Sequence, residues 1–332
     1  MNKPNLFWPI YKNLEKEIIR LADTIHFSDD QLNVYSIHIA DLLVRCSIEI
    51  ESISKELYFI AGGEITPTDK LGNPRDLYFD TDCIELLDSK WKLSKKEIII
   101  SASNLYFSDS QNIIFAPLHK ANKRGTSGSK WKQAYQALKH DRKNSLTKAS
   151  ISNLIQAMGA LYILNLYYKS EVITLETSTA FDNHINSDIF SVLTYKALSI
   201  NLHSENYTHH TQNDNFEKAI YIIKYTNISF ANKCRAYFLD EKTSNDNFRK
   251  STIIIDFLKK HPEYKTKSGY EICMAAGGKS LLKSFFTNYN SIQVKSEFEA
   301  IINKHEPFYP NINSLEECKN YIYAHQQNKH YF

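Results

Sequence analysis

The sequence predicts a mainly α-helical protein with a small β insertion and a helical C-terminal domain. Long segments place apolar residues at helical spacing, whereas only one region changes to the short β-branched runs of strands. Nine glycines and eight prolines are few for 332 residues, which disfavours a turn-rich all-β fold. A hydrophobic content of 42% and a charged content of 23% are typical of a globular chain that buries a substantial core.

The N-terminal part is predicted to hold two amphipathic helices. Apolar residues recur at helical spacing over 10–25 and again over 35–60. The stretch "SDDQ" at 28–31 matches a capping box, in which Ser28 caps the helix and the glutamine reaches back. We therefore expect a long second helix that begins near Ser28 and ends at the glycine pair 62–63.

The pattern changes between about residues 75 and 118, where a β insertion is predicted. Its expected strands are "CIELL" (83–87), "EIIISAS" (97–103), "LYF" (105–107) and "NIIFAP" (112–117). A basic loop (118–130), a short helix ending near residue 142 and an apolar helix (149–168) complete a predicted first domain, residues 1–170.

Residues 171–332 are predicted to form a mainly helical second domain of unknown role. Its polar stretch 203–215 is interpreted as a linker, and capping boxes occur at 268–271 and 314–317. The expected helices lie near 216–224, 246–260, 269–285, 291–304 and 314–328.

Bulk properties narrow the function classes only moderately. A net charge of +3 is too small to indicate nucleic-acid binding without local clustering. The N-terminus lacks the apolar segment of a signal peptide, and no apolar stretch is long enough to span a membrane. With widely spaced cysteines and no CxxC pair, the sequence predicts a reduced, cytoplasmic protein with no membrane partner.

Three short motifs resemble functional sites, but each lacks further residues that such a site needs. The stretch "GGKS" at 277–280 lacks the first P-loop glycine, since Cys273 stands there, so a helix break is expected. The acids of "FDTD" (79–82) leave metal binding as a minor alternative. His203, His209 and His210 lie in the polar stretch without further ligands at suitable spacing. We predict no metal and no cofactor.

Basic residues cluster between residues 119 and 148, where Asp141 is the one acid. Cations neutralise phosphates and aromatic rings stack on bases, so this segment suits single-stranded nucleic acid. A solvated basic surface stays the alternative. The predicted contact residues are Lys120, Lys123, Arg124, Lys130, Trp131, Lys132 and Lys143.

The stretch "YQALKHDR" at 135–142 leads directly into the apolar helix. A long amphipathic helix, an insertion and a polar motif before an apolar helix together resemble the HEPN superfamily over residues 10–168. The motif of that superfamily is an arginine, a polar residue and then a histidine. Tyr135 stands at the arginine position here, Gln136 is the polar residue, and His140 has the spacing of the histidine.

The resemblance implies a four-helix bundle that forms a homodimer and acts in phage defence or as a toxin. It further implies a metal-independent endoribonuclease or an RNA-binding effector. The expected catalytic residues are His140, Arg142, Tyr135 and Lys139, in which His140 takes the 2′-hydroxyl proton and its cationic neighbours face the phosphate.

Because Tyr135 carries no positive charge, Arg142 or Arg45 would have to replace the missing guanidinium. Glu49, one turn beyond Arg45, would either orient a basic group or form an ordinary i,i+4 surface pair. The alternative function is a catalytically inactive HEPN-like scaffold or sensor subunit that assembles with a protein partner.

Overall fold

The computed structural model describes residues 5–175, 180–198, 214–286, 297–308 and 315–325. The fold is mainly helical, with 59% helix and 11% strand, which confirms the predicted class. The helices are α1 (Phe7–Ala22), α2 (Ile37–Ile60), α3 (Glu85–Trp91), α4 (Ser110–Ile113), α5 (Lys130–His140), α6 (Arg142–Ser145), α7 (Ile151–Lys169), α8 (Asp214–Lys218), α9 (Asn227–Lys250), α10 (Thr252–Lys260), α11 (Gly269–Phe286) and α12 (Leu315–His325). The strands are β1 (Ile98–Ile100), β2 (Ile114–Phe115), β3 (Ile173–Leu175), β4 (Phe190–Val192), β5 (Thr194–Ala197), β6 (Tyr221–Tyr225) and β7 (Phe298–Ile302).

Four helices form the centre of the molecule: α1, α2 and α5 all pack against α7. Helix α7 is buried almost all round, as its apolar sequence predicts. Gly159 lets α7 approach the first sheet closely, because a Cβ atom there would lie 2.6 Å from Ile98 Cδ1. The first sheet therefore packs directly on the helical core.

The predicted start of α2 is wrong. Residues Asp29–Gln31 form a single 3-10 turn, and the Ser28 side chain makes no capping bond. Helix α2 instead begins at Ile37, where Ser36 Oγ accepts the N–H of Ile39 at 3.1 Å. The capping-box pattern therefore placed the start of α2 about two turns too early.

Two of the predicted insertion strands are confirmed in shortened form, as β1 and β2. The "CIELL" region is instead helical, since Leu87 and Trp91 of α3 lie one turn apart and both are buried. Tyr106 in the "LYF" run forms only an isolated bridge with Ser28. Strand β1 pairs with β2 on one side and with β4 on the other.

The second sheet corrects the helical prediction for parts of residues 171–332. Its strand order is β3-β7-β6-β5, with β5 parallel to β6 and the other pairs antiparallel. Strands β6 and β7 occupy segments predicted to be helical near 216–224 and 291–304. All five residues of β6 are buried, and a short buried run has no periodicity that separates a strand from a helix.

The main hydrophobic core does not end at residue 170. Tyr221, Ile223 and Ile302 of the second sheet belong to the same cluster of buried residues as α2 and α7. Strand β4 also pairs with β1 of the insertion. The two predicted halves of the chain thus share one core through at least residue 302.

Helices α10, α11 and α12 lie where helices were predicted, whereas residues 227–245 of α9 were not predicted to be helical. Ser268 and Glu271 form the expected capping box at the start of α11, with backbone N–H bonds of 2.9 and 3.3 Å. The "GGKS" stretch lies at a break in α11, where Gly278 has a φ of +65°. His203, His209, His210 and the predicted cap Ser314 lie outside the described residues. None of the described helices could cross a membrane.

Candidate nucleic-acid interface

A cleft of about 600 Å³ opens beside α2 and α5. Four cationic and two anionic side chains line it, so its wall carries a net positive charge. Its lining residues, which define the basic cleft, are Glu51, Lys55, Leu77, Tyr78, Phe79, Asp80, Arg124, Gly125, Thr126, Lys132, Gln133, Gln136 and Lys148.

Asp80 organises one wall of the basic cleft. The Arg124 side chain donates to both carboxylate oxygens, with Nε at 3.1 Å from each and Nη2 at 2.8 Å from Oδ1. Burial disfavours the Asp80 carboxylate, but the bonds from Arg124 and Thr81 keep its pKa below the ordinary value. Asp80 therefore holds Arg124 in place as an ionised partner.

Lys132 is committed to the interior, so its predicted role as a contact residue is wrong. Its Nζ donates to Asp80 Oδ2 at 3.2 Å, to the Ala121 carbonyl at 2.8 Å and to the Lys123 carbonyl. An ammonium has three donors, and all three are used. Burial lowers the Lys132 pKa, and the charge of Asp80 partly offsets that effect. Lys132 thus fixes the loop that carries Arg124.

Tyr78 forms an aromatic edge of the basic cleft and is 43% exposed. Guanidinium carbons of Arg124 and Arg75 lie 4.2 and 4.8 Å from the centre of its ring. Asp82 accepts two bonds from Arg75, at 2.6 and 2.7 Å. Both acids of the "FDTD" motif are thus paired with arginines, which disfavours the metal alternative, and no group of three or more potential ligands occurs among the described residues.

Lys55 and Lys148 are the cations of the basic cleft whose charge is not neutralised. Both are exposed, and within the described chain neither pairs with a carboxylate. Gln133 is fixed, since its amide donates to the Gly128 carbonyl at 2.7 Å. Gln136 lies half-buried one turn further along α5. The basic cleft thus offers two free ammonium groups above an ordered wall.

The predicted catalytic residues occupy different environments. Tyr135 is buried, and burial, together with the charge of the nearby Glu51, raises its pKa to about 12. Tyr135 therefore does not replace the missing arginine. His140 is exposed at the last residue of α5, one turn beyond Gln136, and Lys139 Nζ lies 5.6 Å from the centre of the Tyr135 ring.

Neither arginine proposed as a substitute lines the basic cleft. Arg142 Nη1 lies 2.8 Å from Asp41 Oδ1, and Arg45 Nη1 lies 2.8 Å from both Glu17 oxygens. Glu49 is half-buried. Burial raises its pKa, and the positive charge of Arg45 offsets part of that increase. Neither His140 nor these three residues line the basic cleft.

Trp131 is a second incorrect contact prediction. Its side chain is fully buried, and its indole N–H donates to the Pro117 carbonyl at 2.9 Å. A base cannot stack on a ring that is enclosed by the core. The predicted contacts Lys120, Lys123, Lys130 and Lys143 are exposed, but none lines the basic cleft.

The sequence reasoning missed Tyr78, Lys55 and Gln133 as cleft residues. One usable signal was the spacing of Lys132, Gln133, Gln136 and His140, which places polar groups along adjoining faces of α5. No local signal connects Lys55 on α2 with this segment, because only tertiary packing brings α2 and α5 together.

Comparison of the chain with family models, with curated proteins and with solved structures gives no match. The HEPN resemblance therefore stays a prediction, and the function is argued from the basic cleft.

Proposed function

We propose that the basic cleft binds the phosphate backbone of single-stranded RNA and that the protein is an RNA-binding effector. The supporting observation is the pair of unneutralised ammonium groups, Lys55 and Lys148, beside the fixed Arg124 guanidinium. Lys and Arg bind phosphates by releasing condensed counterions, and this contribution needs no particular base sequence. Tyr78 offers an aromatic edge on which a base can pack.

The HEPN resemblance supplies the biological context of this proposal. It implies action in phage defence or as a toxin, with a homodimer as the working form and a protein partner in the same system. The mass in solution tests the dimer, because a homodimer has twice the chain mass of 38.5 kDa. A single-chain mass at micromolar concentration contradicts it.

A metal-independent endoribonuclease is the second candidate, supported by one observation. His140 is exposed at the end of α5, about 6 Å along the helix axis from the cleft residue Gln136. An imidazole there can act as a general base toward a 2′-hydroxyl near neutral pH. The buried, uncharged Tyr135 instead favours a catalytically inactive effector, scaffold or sensor subunit.

Binding of a labelled single-stranded RNA tests the proposed function. The Lys55→Ala/Lys148→Ala double variant should bind about tenfold more weakly than the unaltered chain, since two phosphate contacts are lost. The matched control is Lys130→Ala/Lys143→Ala, which removes the same charge from exposed residues outside the basic cleft. Equal losses in the two double variants would overturn the assignment of the cleft.

A further inference from the structure

Glu51 is an unexpected residue for a phosphate-binding cleft. It lies half-buried on α2, one turn before Lys55, in the same wall as Gln136. The cleft contains four cationic side chains, yet Glu51 forms no ion pair with any described residue. A carboxylate in this position repels phosphate, so a ligand that fills the cleft must offer it a hydrogen-bond donor.

Glu51 lies close enough to Tyr135 for its charge to contribute to the raised pKa of that tyrosine. A carboxylate has about four lone-pair sites, so a single hydroxyl donor would leave most of them unused. Glu51 lines the cleft, and the Gln133 amide of the same cleft donates to the Thr126 and Gly128 carbonyls, at 3.3 and 2.7 Å. Glu51 therefore has acceptor sites that a ligand in the cleft can use.

We infer that Glu51 accepts a hydrogen bond from a ribose 2′-hydroxyl of the bound strand and makes the basic cleft selective for RNA over DNA. This inference rests on the proposed function. The 2′-hydroxyl is the donor that distinguishes the two backbones, and carboxylates are established acceptors of ribose hydroxyls in nucleotide sites. Cations alone attract both backbones, so Glu51 supplies a discrimination that Lys55 and Lys148 cannot.

Three oligonucleotides of one sequence test the inference by fluorescence anisotropy: RNA, DNA and 2′-O-methyl RNA. The 2′-O-methyl strand keeps the ribose oxygen but lacks the donated hydrogen. The unaltered protein should bind RNA about tenfold more tightly than either other strand, as one charge-assisted hydrogen bond allows. Glu51→Gln should reduce this preference to about twofold, without weakening DNA binding, because the negative charge is lost.

Tyr135→Phe is the control for an indirect effect through the buried tyrosine. It removes the hydroxyl whose pKa the Glu51 charge raises but keeps the carboxylate, so the RNA preference should persist. A purely structural Glu51 predicts equal preferences in the unaltered protein and in Glu51→Gln, which would overturn the inference. Equal binding of RNA and DNA that still depends on Lys55 and Lys148 would overturn this inference but not the proposed function. Failure to bind either RNA or DNA would overturn both this inference and the proposed function.

Discussion

Asp80 and Arg124 are joined by three hydrogen bonds, from two guanidinium nitrogens to the two carboxylate oxygens, across the wall of the basic cleft. Asp80 belongs to the π-helical turn Phe79–Ile84, and Arg124 precedes the 3-10 turn Gly125–Ser127. Lys132 of α5 joins the same carboxylate from the interior. Asp80 thus connects three parts of the chain that line the cleft.

Asp80→Ala should destabilise the protein by about 2–4 kcal/mol, because it leaves the buried Lys132 ammonium without its counter-charge. Chemical denaturation measures the loss. The matched control is the exposed Asp76→Ala, which should change the free energy of unfolding by less than about 0.5 kcal/mol. Equal stabilities of the two variants would show that the carboxylate does not hold this wall together.

Lys96 gives a prediction for the pH dependence of stability. Its side chain is fully buried, and its Nζ has no hydrogen-bond partner among the described residues. Burial lowers its pKa to about 7, although the charge of Glu217 opposes the shift. Between about pH 7 and the ordinary lysine pKa the unfolded chain binds more protons, so the Lys96 contribution to stability rises with pH.

Lys96→Met should therefore raise the free energy of unfolding by about 1–4 kcal/mol at pH 7 and flatten its rise between pH 7 and 10. Urea denaturation at four pH values measures both effects. Lys95→Met is the control, since that side chain is 53% exposed and pairs with Glu217 at the surface. An unchanged slope in Lys96→Met would contradict the burial of an unpaired amine.

Substitution of the exposed His140 tests whether the protein cleaves RNA or only binds it. If the protein is a ribonuclease, His140→Ala should lower the cleavage rate in chelator by a factor of about 100 or more and leave the unfolding transition unchanged. His119→Ala is the control, because His119 is another exposed histidine of the basic segment but does not lie on α5. Full activity of His140→Ala would exclude His140 as the base.

Trp131→Phe separates the structural role of Trp131 from the stacking role that the sequence predicts. The change removes the indole N–H and leaves the buried Pro117 carbonyl without its donor, at a cost of about 1–3 kcal/mol. At temperatures where the variant is folded, RNA affinity should be unchanged. A selective loss of RNA affinity without a loss of stability would restore the stacking interpretation.

The sequence predicts a secondary-structure element well when its apolar pattern is long or when a local capping motif marks its start. Helix α7 follows from its continuous apolar run, and the start of α11 follows from the Ser268–Glu271 capping box. Strands β6 and β7 could not be found in this way, because a buried five-residue strand and a buried helical segment have similar compositions.

The site was predictable only as a region. The charge count drew attention to residues 119–148, and Arg124 and Lys148 of this segment line the basic cleft. It could not show that Trp131 and Lys132 point inward, since their orientation depends on how α5 packs against the core. Lys55 comes from α2, and only the tertiary fold brings it to the same surface.

The salt dependence of RNA binding tests the central claim most directly. Each phosphate neutralised on a single strand contributes about −0.7 to the slope of log K against log salt concentration. If Lys55 and Lys148 each neutralise one phosphate, the slope for Lys55→Ala/Lys148→Ala should be shallower by about 1.4, whereas the slope for Lys130→Ala/Lys143→Ala should match that of the unaltered protein. Parallel lines for all three proteins would contradict the assignment of the basic cleft as the phosphate-binding site.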